Sequence, residues 1–279
     1  MKCIMKNFSN LFALIGLLAC FALIAGCASS GGLSQPTAVP EIRPGVPAGY
    51  LPRNALPNSL ALLLPPPAAS SAALLCDEEA SQKALALRNT PRWTLATEDA
   101  NLVFPHAAGT FSCALNGPIT EQDTPHLYML LRRTLNDAGL STDAAKGHYH
   151  RIRPFVVNKG PICTPDDEKF LRMNGSYPSG HAALGWAWAL ILAEISPDQT
   201  DAILARGRVF GESRVICNVH WKSDVIEGRF MGASTVARLH ADSAFRADLE
   251  AAKAELASVR AKGLKPLRDC AAEAAAMAR

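Results

Sequence analysis

Twelve consecutive uncharged residues, Ala182 to Ala193, form the most hydrophobic stretch of the chain outside its amino-terminal leader. A membrane-spanning helix needs about 20 apolar residues, so this run is too short to cross a bilayer and is expected as a central core helix. Trp186 and Trp188 within it are expected as packing groups. The remaining chain has to cover that helix, and its residues point to further helices. Alanine and leucine are abundant, only 6% of residues are aromatic, and no stretch alternates convincingly between apolar and polar. Ser71 to Arg88 is a candidate helix, stopped by Thr90-Pro91 because the residue before proline avoids the α region. Thr124-Pro125 resembles an N-cap with proline in the first turn, opening a helix that Gly139 ends. Ser141 is expected to cap a helix running to Arg153-Pro154, and Ser196-Pro197 one running to about Arg214. The alanine-rich segment from Ala247 to Arg279 is expected to continue helical. With no internal repeat in 279 residues, the expectation is an all-α fold, a single helical bundle domain.

The leader defines the compartment. Lys2 and Lys6 precede fifteen uncharged, mostly apolar residues, Leu11 to Ala25. As a helix these would span roughly 22 Å, short of a ~30 Å hydrocarbon core, which favours a secretory signal over a permanent anchor. Ile24-Ala25-Gly26-Cys27 resembles a bacterial lipobox, with Cys27 as the lipidated first residue of the mature protein. Ala28 beside it suggests, by resemblance to bacterial lipoproteins, the outer membrane, with the domain periplasmic or at the cell surface. The other reading is an ordinary signal peptide cut near Ala28. The expected organisation is a signal peptide over 1–26, a Pro/Gly/Ser-rich tether over 27–50, a folded domain over 51–262 and an alanine-rich tail over 263–279. Pro65-Pro66-Pro67 cannot be helical and reads as part of an extended strap on the domain.

The formal charge of +3 comes from 28 basic and 25 acidic residues. Removing Lys2 and Lys6 leaves near balance, which argues against nucleic acid as a partner. Eight cysteines leave five once Cys3, Cys20 and Cys27 are assigned to the leader and anchor. An oxidising compartment permits disulfides among Cys76, Cys113, Cys163, Cys217 and Cys270, with at least one thiol left over. No CxxC or CxxxH pair suggests a structural zinc site.

Three short segments carry candidate chemistry. Lys146 and Arg153 are seven residues apart, which on one helix is close to two turns and places both cations on one face; Arg151 then faces elsewhere and is left out of the site. Alone, such a pair is more often a solvated basic face. Gly175-Ser176-Tyr177-Pro178-Ser179-Gly180-His181 is a polar turn leading into the core helix, where free N–H groups and the Ser179 hydroxyl can cradle an anion, Gly180 allows close approach and His181 stands at the rim. The bland reading is a helix cap with an incidental histidine. In the third segment Asp224 follows His220 by four residues, a helical spacing that sets carboxylate beside imidazole, with Arg214 upstream. By itself HxxxD is too common to carry an assignment.

Together, Lys146-x6-Arg153-Pro154, Pro178-Ser179-Gly180-His181 and Ser213-Arg214-x5-His220-x3-Asp224 resemble the tripartite signature of the type 2 phosphatidic acid phosphatase superfamily, which includes vanadium haloperoxidases. The longer strings Gly175 to His181 and Ser213 to Cys217 are similar to those of bacterial class A non-specific acid phosphatases. The likeness extends over roughly Tyr50 to Leu256 through Leu60 to Pro67, Arg88-Asn89-Thr90, Glu98 to Asn101 and Pro118 to Glu121. Ala182 departs from it, because class A members usually carry threonine there, and the lost hydroxyl could alter hydrogen bonding at the cradle. The resemblance implies a metal-independent acid phosphatase without cofactor, acting on small phosphomonoesters of broad range. It makes His220 the nucleophile, Asp224 its orienting carboxylate and His181 the general acid and base. Lys146, Ser179, Gly180, Arg153 and Arg214 would bind phosphate. It also implies a Cys163–Cys217 disulfide and an acid pH optimum. It does not reach Cys76 and Cys113, for which a mutual pair is a weaker expectation. Lipid-phosphate hydrolysis and a non-catalytic phosphate-binding lipoprotein are the competing readings, and a homo-oligomer is left open.

Overall fold

The computed structural model describes residues 35–278. The signal peptide, Cys27 and the first part of the tether lie outside the described residues. The apolar run becomes the helix Gly180–Ile195, in which Glu194 alone is exposed. Ser179 caps it, its Oγ accepting from the Ala182 N–H at 3.2 Å. Helices Thr200–Ile216 and Lys222–Leu239 flank it, and Pro125–Leu140 and Ser243–Ala261 close the bundle. Contact with Lys222–Leu239 is backbone to backbone, since a Cβ at Gly232 would run into the Ala183 carbonyl oxygen. Trp188 is fully buried and donates from its indole N–H to the Leu131 carbonyl at 3.1 Å. Phe111 and Phe210 pack around it, each fully buried ring contributing about 1.5–3 kcal/mol.

Several helix ends differ from expectation. The first long helix is Ala72–Leu85, with Ser71 as its cap, and Thr90 caps a separate helix, Pro91–Asp99. A 3-10 turn, Pro197–Gln199, precedes Thr200–Ile216. The alanine-rich tail is not continuous: Ser243–Ala261 ends before Gly263, whose φ is +75°, and Cys270–Met277 begins afresh with Asp269 as cap.

The tether holds the described protein's only strands, Glu41–Arg43 and Val46–Pro47, an antiparallel hairpin turning at Gly45 with φ +77°. Beyond it the chain is strapped to Pro125–Leu140. The Tyr50 and Leu51 N–H groups donate to the buried Asp137 carboxylate at 2.9 and 3.0 Å, and Arg133 lies over the Tyr50 ring. Further on, the Leu64 carbonyl accepts from the Tyr177 hydroxyl at 2.7 Å, which ties the proline-rich strap to the loop before the central helix.

Cys163 pairs with Cys217, and Cys113 with Cys270. The expected Cys76–Cys113 pair is therefore corrected. Cys76 is exposed on the helix Ala72–Leu85 and free. Cys113 instead meets the terminal helix, which docks through the Glu273–Arg206 and Arg268–Glu98 ion pairs. Each bridge closes a long loop, for which about 2–4 kcal/mol is typical. Among the described residues no helix is long and apolar enough to cross a membrane.

Candidate active site

The three segments meet at the amino-terminal end of the central helix. Lys146 lies on the helix Asp143–Tyr149, which His150 terminates in the left-handed region at φ 43°. Arg153 is extended and stands at the N-cap of Pro154–Asn158. The two cations thus come from a helix and a loop, not from one helical face, and the expected helix from Ser141 to Arg153 is broken. They converge nevertheless. Lys146 Nζ donates to the Pro178 and Gly175 carbonyls at 2.5 and 3.3 Å. Arg153 is buried, with Nε on the Leu171 and Asn174 carbonyls and Nη2 on Gly175. Its Nη1 donates to the Val219 carbonyl at 2.7 Å and lies 3.1 Å from His220 Nε2.

His220 and Asp224 are neighbours, but helical spacing is not the reason. His220 precedes the helix Lys222–Leu239, for which Trp221 is the N-cap, so only Asp224 is helical. Asp224 caps the helix: its Oδ2 accepts from the Trp221 N–H at 2.8 Å and faces His220 Nδ1 at 3.3 Å. A carboxylate opposite Nδ1 keeps the proton there and leaves the Nε2 lone pair directed at the cations.

His181 has the opposite tautomer. Its Nε2 lies 3.1 Å from the Ala100 carbonyl, which can only accept, so Nε2 carries the hydrogen and Nδ1 is the atom free for chemistry. Ala100 follows Asp99, whose buried carboxylate is bound by Arg206 and accepts from the Ser213 hydroxyl at 2.6 Å. The His181 ring stacks beside Phe210. Ser179 donates its backbone N–H to the Asp224 carbonyl at 2.9 Å, locking the cradle turn to the third segment, and Gly180 is the first helical residue. Ala182 is fully buried with its methyl against Gly211 and Gly228, so the departure from threonine falls in a helix seam.

Arg214 is buried near the end of Thr200–Ile216, and its Nε and Nη1 meet no hydrogen-bond partner among the described residues. A guanidinium held in this way favours an anion in front of it. The bridge from Cys163 to Cys217, three residues before His220, fixes the loop leading from Arg214 to the histidine.

Arg151, excluded by the helical-face reading, is part of the site. Its Nη1 donates to Asp224 Oδ1 at 2.6 Å and to the Ser223 hydroxyl at 2.7 Å, and its Nη2 to Asp77 Oδ2 at 2.8 Å. Spacing could not reveal it, because the left-handed residue at His150 turns the following side chains to new directions.

Electrostatics follow from burial and crowding. Burial, reinforced by Arg153, lowers Lys146 to about 7. Burial also brings Arg153 and Arg214 down to about 10. His220 and His181 lie well below the ordinary histidine value, first through burial and then through the arginines. The Asp224 carboxyl is pushed up by burial, against the pull of Arg151. Lys146, Arg153 and Arg214 thus crowd around the His220 ring, while Arg151 is paired with Asp77 and Asp224. Such a cluster favours an anion among its members.

The PAP2 superfamily model matches residues 126–247. The chain is 45% identical over 212 residues to a non-specific acid phosphatase of Providencia stuartii, covering 76% of this chain and 86% of that protein. It is 43% identical over 181 residues to a non-specific acid phosphatase of Salmonella typhimurium, covering 64% and 72%. An acid phosphatase of Zymomonas mobilis is 40% identical over 190 residues, covering 68% and 72%. The family model runs through all three segments, and with the 45% identity over 86% of the Providencia protein the chain belongs to the PAP2 superfamily, as a class A non-specific acid phosphatase.

Proposed function

We propose that this acid phosphatase hydrolyses small phosphomonoesters through a phosphohistidine on His220, without a metal ion. The observation that carries this reading is Arg214, a buried guanidinium whose Nε and Nη1 meet no hydrogen-bond partner among the described residues, set with Lys146 and Arg153 beside His220. Lys146, Arg153, Arg214, Ser179 and the Gly180 amide hold the non-bridging oxygens. His220 Nε2 forms a bond to phosphorus as the bond to the ester oxygen breaks, and Asp224 stabilises the charge arising on the ring. Protonated His181 delivers its Nδ1 proton to the departing alkoxide. Neutral again, it takes a proton from water, whose oxygen attacks phosphorus and breaks the P–N bond. Phosphoryl transfer is mainly positioning and charge stabilisation, which three fixed cations supply. All these groups address the phosphoryl half, which supports a broad range of alcohol portions.

The pH dependence follows from the directions of the shifts. His220 has to be neutral to attack, and its depressed pKa keeps it so into acid solution. His181 has to be protonated to donate, and its own depression makes that form scarce towards neutrality. Activity therefore rises on going from pH 8 into the acid range. A bound dianion offsets the arginines and raises His181, so the alkaline limb of kcat lies at higher pH than that of kcat/KM. Lys146, with its pKa at about 7, weakens phosphate inhibition above neutrality as it loses its proton. The test is hydrolysis of a chromogenic phosphomonoester across pH 4 to 8 with excess chelator. Activity and profile unchanged by the chelator are expected; loss on chelation contradicts the metal-free mechanism.

The same reading places the enzyme in the periplasm, tethered to the outer membrane through a lipid on Cys27. Ile24-Ala25-Gly26-Cys27 and two disulfides, which suit an oxidising compartment, support it. Palmitate labelling in cells is expected for the full chain and not for Cys27→Ser; label persisting in that variant refutes the anchor.

A further inference from the structure

We propose that Arg151 is a positioning residue for the nucleophile, clamped between Asp77 and Asp224 so that one oxygen of Asp224 stays on His220. The inference rests on His220 as the nucleophile. Asp224 is fully buried, and its two oxygens have different duties. Oδ2 takes the Trp221 N–H and faces His220 Nδ1, whereas Oδ1 takes Arg151 Nη1 at 2.6 Å. Rotation of the carboxylate about its Cβ–Cγ bond would break the Arg151 contact, so Arg151 fixes the plane in which Asp224 meets the imidazole.

Arg151 is itself fixed at its other end. Asp77, buried on the helix Ala72–Leu85, takes Nη2 at 2.8 Å. Asp77 also accepts from the Ser223 N–H at 2.7 Å and from the Ser223 hydroxyl at 2.6 Å. Arg151 Nη1 shares that hydroxyl, and its guanidinium lies against the Trp221 ring. Helix Ala72–Leu85 thereby grips the first turn of Lys222–Leu239, and the guanidinium joins the two. An arginine suits this place because its planar fork reaches two carboxylates along fixed directions, which a lysine does not.

Arg151 also keeps Asp224 ionised. Around that carboxylate stand Lys146 from Asp143–Tyr149, Arg151 and Arg153 from the following loop, His220 before Lys222–Leu239 and Tyr177 from the cradle turn, with Asp77 behind Arg151. Among the cations of the described residues, only Arg151 bonds it directly, at 2.6 Å. Burial pushes the carboxyl up, and Arg151 is the first of the groups opposing it. Without Arg151 the carboxyl takes up a proton at higher pH. It then no longer holds the His220 Nδ1 proton or supports the charge formed on phosphorylation.

The test compares wild type with Arg151→Met, Arg151→Lys and Asp77→Asn, following kcat, KM, the pH profile and the rate of phosphoenzyme formation from a labelled phosphomonoester. Arg151→Met is expected to lower kcat by roughly 10²-fold, with KM changed by less than about threefold, and to move the acid limb of kcat/KM upward. Arg151→Lys recovers part of the rate and of the limb, because the charge returns without the fork. Asp77→Asn moves both in the same direction by a smaller factor. Inorganic phosphate inhibition near the wild-type value shows that the cradle is intact in each variant. If Arg151→Met does not fold, Arg151→Lys and Asp77→Asn carry the test. Wild-type rates and pH profile in the folded variants overturn the proposal. A wild type that forms no phosphoenzyme overturns the His220 mechanism instead, so the two failures are distinguishable.

Discussion

Alanine in place of His220 is expected to lower kcat for any phosphomonoester by roughly 10⁴-fold or more, the scale of loss when a covalent nucleophile is removed. The geometry makes the loss specific to chemistry. His220 presents Nε2 to the phosphate-binding cations, 3.1 Å from Arg153 Nη1, while Asp224 holds its other nitrogen. Lys146, Arg153 and Arg214 keep their places without the ring, because backbone carbonyls hold the first two and helix packing the third. Inorganic phosphate should therefore still inhibit the variant at a concentration within about tenfold of that for wild type, since the charges that bind it remain. Steady-state kinetics with phosphate as inhibitor checks both parts. An active His220→Ala enzyme, or one that has lost phosphate binding along with turnover, contradicts the assignment.

His181→Gln should show a leaving-group signature. Its Nδ1 delivers a proton to the departing oxygen, a contribution of about 10²–10⁴-fold for a positioned general acid. An alkoxide needs that proton and a nitrophenolate hardly does, so kcat/KM should collapse for alkyl phosphates and fall little for nitrophenyl phosphate. Hydrolysis of the phosphoenzyme loses its base in the same variant. Stopped-flow measurement with nitrophenyl phosphate is therefore expected to show a burst of nitrophenol close to one per site, followed by slow turnover. An equal loss for both substrate classes, with no burst, would place His181 in binding and not in proton transfer.

The site was legible in sequence where chemistry is carried by local strings, and illegible where it depends on how elements dock. Pro178-Ser179-Gly180-His181 could be read as a cradle because the cap, the glycine and the apolar helix are contiguous. Lys146 and Arg153 come together, though not on one helical face. Their spacing predicts one helix carrying both, whereas His150 breaks it and the Pro178 and Gly175 carbonyls gather the side chains. The same spacing leaves Arg151 on another face, and its partner Asp77 lies 74 residues away. His220 and Asp224 have the right proximity through a capping contact, which spacing alone does not distinguish from an i, i+4 pair. The Cys113–Cys270 bridge depends on a terminal helix docking through Arg206 and Arg268, information spread over the whole fold.

Trapping the intermediate is the most direct test of the central claim. Wild-type enzyme mixed with a phosphomonoester labelled in its phosphoryl group, and quenched within milliseconds in alkaline denaturant, should carry label approaching one phosphoryl group per chain. Peptide mapping should place it on Nε2 of His220, stable to base and lost in acid, and absent from His220→Ala. Label on another residue, or turnover without any labelled protein on that timescale, would contradict the account.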